Sequence, residues 1–97
     1  MKTATIHRYI QAATPAQVAT ALDRASVGTS LEEKAREYRQ MLAGTTDPSE
    51  LEYFSDCALD WLETAIIASH PPRHFLGWGY EIDEHVAIAL RDAGTVI

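Results

Sequence analysis

One cysteine, Cys57, in 97 residues excludes an internal disulfide and gives no sign of secretion. Long apolar runs are missing too. Runs such as Ala65–Ala68 and Val86–Leu90 stay at four or five residues, against the roughly 20 that a membrane-spanning helix needs. Behind Lys2, where a signal peptide would carry its hydrophobic region, His7, Arg8 and Gln11 interrupt. These absences predict a cytoplasmic chain with no membrane partner. There is no Gly-rich phosphate loop, nucleophile elbow, HExxH motif or paired Cys/His pattern. Cys57 has no evident partner base and stands among acids, the opposite of the electropositive setting of a reactive thiol. The expectation is therefore a non-enzyme without a cofactor or a metal.

The most informative absence is of one sign of charge. From Gln40 to Pro72 there is no Lys or Arg, while Asp47, Glu50, Glu52, Asp56, Asp60 and Glu63 all fall in that stretch. The net charge of −6 is unevenly placed. Residues 1–39 carry six basic and four acidic side chains, net +2, and residues 40–97 carry two basic and ten acidic, net −8. Phosphates need cations, so direct nucleic-acid binding by the second half is disfavoured. A basic protein surface is the favoured partner.

What is present is ordinary for a globular chain: 46% apolar and 23% charged residues. Its length predicts a single domain, 1–97. Thr3–Gln11 is rich in Thr, Ile and Tyr and reads as a strand, with Ala4, Ile6 and Ile10 on one face and Arg8 breaking it. Thr14-Pro15-Ala16-Gln17 starts a helix to about Ala25, with Val18, Leu22 and Ala25 as its apolar stripe. Ser30-Leu31-Glu32-Glu33 reads as a second capping box, for a helix that runs to about Ala43 and stops at Gly44, with Glu32 set to pair with Arg36. Asp47-Pro48-Ser49-Glu50 opens the longest helix, to about Ser69, where His70-Pro71-Pro72 ends it. A fourth helix is expected over Glu81–Ala93. The expected fold is α+β and mostly helical. About four helices pack around Trp61 with a small antiparallel sheet, made of the N-terminal strand, segment 75–80 and the tail Thr95–Ile97.

Glu52, Asp56, Asp60 and Glu63 fall within an arc of roughly 80° at 100° per residue. The like-charge neighbours Glu52/Asp56, Asp56/Asp60 and Asp60/Glu63 together forfeit about 1 kcal/mol. Carboxylates repeated each helical turn stand about 5–6 Å apart, close to the spacing of successive phosphates. A solvated helix face is the plain alternative, but surface helices usually interleave both signs, as residues 30–43 do. The stripe predicts a small acidic interaction protein. It would act as a stoichiometric inhibitor or regulator of a basic nucleic-acid-binding protein, on the DNA-mimic principle used by small acidic anti-restriction and anti-CRISPR proteins of phages and mobile elements. That is an analogy of mechanism, and no motif assigns the chain to such a family. Trp78, between Gly77 and Gly79, and Tyr80 are the expected apolar anchors.

Three other readings compete. His74, Glu81 and His85 could serve a metal-dependent or acid–base enzyme, although His70-x3-His74 contains two prolines and is not helical. A homo-oligomeric structural subunit would need no external ligand. A helix-turn-helix over Pro15–Ala43 is disfavoured, because Glu32 and Glu33 occupy the turn that would approach the bases.

Overall fold

A computed structural model describes residues 1–71 and 78–97, with Trp78 described by its backbone alone. The described residues form five α-helices: α1 (Thr3–Ala12), α2 (Pro15–Ser26), α3 (Glu32–Gly44), α4 (Pro48–Ser69) and α5 (Trp78–Asp92). No strand occurs among them. The expected α+β fold with a small sheet is therefore overturned: the regular structure of the described residues is all helical.

The N-terminal segment shows why. Its Thr, Ile and Tyr content favours a strand, but Ile6 and Ile10 stand one helical turn apart, and Ile6 is buried while Ile10 packs at the core's edge. That spacing lays one face along α5, the only helix α1 packs on among the described residues. Tertiary burial overrides a weak intrinsic preference. Arg8, which broke the alternating face of the supposed strand, lies on the exposed side of the helix. Of the other two expected strands, residues 72–77 lie outside the described residues, Trp78–Tyr80 are the first turn of α5, and Thr95–Ile97 follow its end without regular structure.

α2 is the hub. It packs along α3, α4 and α5. It buries Val18, Ala19, Ala21, Leu22 and Ser26, an arc of roughly 160° and wider than a Val18–Leu22–Ala25 stripe. Against it α4 sets Ala58, Leu62, Ala65 and Ile66. α3 contributes Ala35 and Tyr38, and α5 contributes Ile82, Val86 and Leu90. Leu22, Leu62 and Leu90 are fully buried, each worth about 1.5–3 kcal/mol relative to exposure. Trp61 does not form the centre. It is half-buried at the edge of the core, edge-on to the fully buried Tyr38 at 6.5 Å between ring centroids. The Tyr38 hydroxyl bonds Ser55 Oγ at 2.9 Å, which joins α3 to α4.

The caps are partly as the sequence predicts. Thr14 and Gln17 form a full capping box on α2, and Asp47 caps α4 by accepting from the Ser49 N–H at 2.9 Å. The box expected at Ser30 does not form. Leu31 is the N-cap residue, and its N–H donates to Thr29 Oγ1 at 3.1 Å. Glu32 accepts from the Gly28 N–H at 2.7 Å, which withdraws it from the expected pairing with Arg36. Gly28, at φ 78°, sits where the chain turns back between α2 and α3.

The end of α5 is fastened to α2. The Gln17 side chain donates to the Gly94 carbonyl at 3.0 Å and accepts from the Thr95 hydroxyl at 3.0 Å, and Arg24 Nη1 donates to the Asp92 carbonyl at 2.9 Å. Gly94 has φ 103°, so a side chain there is strained whatever space surrounds it. Gly94→Ala should cost about 1–2 kcal/mol, read as a lower urea midpoint with an unchanged slope.

Candidate functional site: the acidic face of α4

The apolar arc of α4 turns toward α2, and the opposite face is left to solvent. Glu52, Asp56 and Asp60 are exposed. None of the three forms an ion pair or hydrogen bond through its carboxylate among the described residues. Two of the three cations of the neighbouring α3 are engaged elsewhere, and the third, Arg36, lies beside Asp23, Arg39, Gln40 and Ala43 and pairs with no carboxylate among the described residues. Lys34 lies over the Trp61 ring at 5.7 Å from its centroid and pairs with Glu37 at 3.5 Å. Arg39 Nε donates to Asp23 of α2 at 2.7 Å. Among the described residues no cation forms an ion pair with Glu52, Asp56 or Asp60.

Glu63 differs from the other three. It is half-buried, and its carboxyl is pushed above the ordinary glutamate range, first by loss of solvent and then by the charges of Asp83 and Asp60. Asp83 belongs to α5, so the stripe does not end on α4 but continues across the α4–α5 seam. Sequence reasoning missed Asp83, because the approach of α5 to α4 brings the two carboxylates together and no spacing along the chain encodes it.

The two expected anchors sit differently. Tyr80 is 46% exposed, but its hydroxyl is occupied: it donates to the Met1 carbonyl and, at 3.1 Å, to Glu84. Glu84 also accepts from the Met1 ammonium at 2.7 Å, and this contact, followed by the Tyr80 hydroxyl, holds its carboxyl below the usual range. Tyr80 therefore belongs to the α1–α5 seam, whereas Asp83 and Glu63 share the α4–α5 seam. Trp78 lies in the first turn of α5, and its side chain is outside the described residues.

A different aromatic flanks the stripe. Tyr53 on α4 is 64% exposed and packs edge-on against Phe54 at 5.2 Å. At 100° per residue it stands roughly 60° from Asp56. The signal was present in the sequence, since Tyr53 falls outside the helix's apolar face.

The competing enzyme reading has less to draw on. His74 is outside the described residues, Glu81 is half-buried, and His85 is exposed and stacked on His70 with 5.1 Å between ring centroids and 8° between planes. Among the described residues no three His, Cys, Asp or Glu side chains gather as metal ligands. No helix of the described residues is long and apolar enough to cross a membrane. Comparison of the chain with family models, with curated proteins and with solved structures finds no match.

The raised Glu63 fixes the sign of a stability effect. Its ionised form is disfavoured in the fold, so its contribution to stability is full below the ordinary value of 4.5 and is lost as pH rises through the higher folded-state value. Glu63→Gln should stabilise the protein at pH 7 by about 0.2–0.5 kcal/mol, the size of one relieved like-charge contact. The gain should close as pH is lowered to 4, with urea unfolding at both pH values as the measurement.

Proposed function

We propose that this protein acts by stoichiometric binding, with the outer face of α4 as its contact surface and a Lys/Arg-rich protein surface as its partner. The observation that carries the proposal is the row Glu52, Asp56 and Asp60, exposed and without an ion-pair partner among the described residues. Maintaining that row costs stability, and a basic partner would return it. Asp83 widens the acidic surface at one end and Tyr53 offers an aromatic face beside it. Carboxylates next to an exposed tyrosine suit arginine in particular, because guanidinium pairs with carboxylate in a planar fork and also stacks on aromatic rings.

A helix that repeats negative charge about every 5–6 Å can fill a groove shaped for a nucleic-acid backbone. The partner is therefore a nucleic-acid-binding protein, and the protein is an inhibitor or regulator that competes with the nucleic acid, working in the cytoplasm in the manner of a DNA mimic. Exposed charges act within a Debye length of about 8–10 Å, so association should slow steeply as salt is raised.

The test is affinity capture from a bacterial lysate with wild type and the Asp56→Lys/Asp60→Lys variant side by side. A basic nucleic-acid-binding protein held by wild type and lost with the variant supports the proposal, and adding duplex DNA should displace it. Both substitutions are on an exposed face, so the variant should keep its helical circular dichroism. If the folded variant retains the same proteins as wild type, the stripe is a solvated face and the proposal fails.

A further inference from the structure

On the side of the molecule lined by α2, the C-terminal end of α4 and α5 there is a cavity of about 320 Å³, open to solvent. A 150 Å³ apolar cavity is enough to hold benzene, and ligand sites begin near 300 Å³. Ala21, Ala25, Val27, Ile66, Ile88 and Ala89 form its apolar walls. Three of the six are alanines, whose short side chains leave space between the helices.

The polar groups arrive from all three helices. Arg24 comes from α2, His70 from the end of α4, and His85 and Asp92 from α5. The stacked imidazoles of His70 and His85 are parallel within 8° and give the cavity a flat aromatic element. The electrostatics favour positive charge or N–H donors. The last turns of α2 and α4 and the last residue of α5 all line the cavity, and each helix C-terminus carries about half a negative charge. Arg24 is the countercharge, and it is directed at backbone, with Nη1 on the Asp92 carbonyl at 2.9 Å. The Asp92 carboxylate pairs with Arg91 through Oδ1 alone, which accepts from Nε and Nη2 at 3.4 Å each, and Oδ2 keeps acceptor capacity for a donor.

We infer that this cavity is a binding site for a small planar heteroaromatic amine. The ring would lie among the alanines and against the imidazole pair, and an exocyclic or ring N–H would donate to Asp92. An anion of the same size, a phosphate ester or a carboxylate, is disfavoured by the three helix ends. The site is independent of the acidic face of α4, so either can fail without the other.

Two probes of similar size separate the classes: 2-aminobenzimidazole as the cationic planar amine and benzoate as the planar anion. The imidazole proton resonances of His70 and His85 would be followed by NMR as each probe is titrated in. The amine should shift both saturably, with benzoate at least tenfold weaker. Asp92→Asn should weaken the amine about tenfold, and Ala25→Met should block it by filling the cavity, with circular dichroism confirming the fold of each variant. Asp92 is exposed at a helix end, so its variant remains informative if Ala25→Met does not fold. Tighter binding of benzoate, no saturable shift with the amine, or equal binding by Asp92→Asn would each overturn the assignment.

Discussion

The close approach of α2 to α4 is the constraint on which the rest of the structure depends. Val18, Ala19, Ala21 and Leu22 meet Ala58, Leu62, Ala65 and Ile66. Alanines on both sides let the helices lie near each other, and Leu22 and Leu62 are fully buried. Once that contact is set, α3 and α5 can bury their apolar faces only against what remains of α2 and α4. Among the described residues α1 then packs on α5 alone.

The same contact decides which way the charges point. Turning the apolar arc of α4 inward leaves Glu52, Asp56 and Asp60 outward, and no rotation of α4 could both fill the core and hide them. The basic residues of α3 could in principle have answered them across the α3–α4 contact. Lys34 instead covers Trp61 and Arg39 reaches to Asp23 of α2. Separation of charge along the chain has become separation of charge in space. This gives the molecule an acidic side, bordered by Tyr53 and extended by Asp83.

Much of the helical part was legible in the sequence. α2 and α4 begin with a cap followed by proline, a combination whose local physics is strong and short-ranged, and both start where it places them. The failures share a cause. The N-terminal segment has a mixed signal, β-branched composition with helical spacing of Ile6 and Ile10, and the two point to different elements. Ser30 offered a capping residue that the chain does not use, because Thr29 and Glu32 satisfy the same turn through other hydrogen bonds. Trp61 was given the centre for its size, yet the fully buried aromatic is Tyr38, whose hydroxyl finds Ser55.

By itself the sequence determined four of the helices, the inward face of α4 and the row of carboxylates on its outer face, because helical periodicity and capping act over a few residues. Tertiary structure alone decided that the N-terminal segment is a helix, since the contact with α5 selects between two local preferences. It also decided that Asp83 joins Glu63, that Tyr80 is committed to Met1 and Glu84, and that Arg24, His70, His85 and Asp92 surround one cavity. Those groups are distant along the chain, and only the packing of α4 and α5 on α2 brings them within reach of one another.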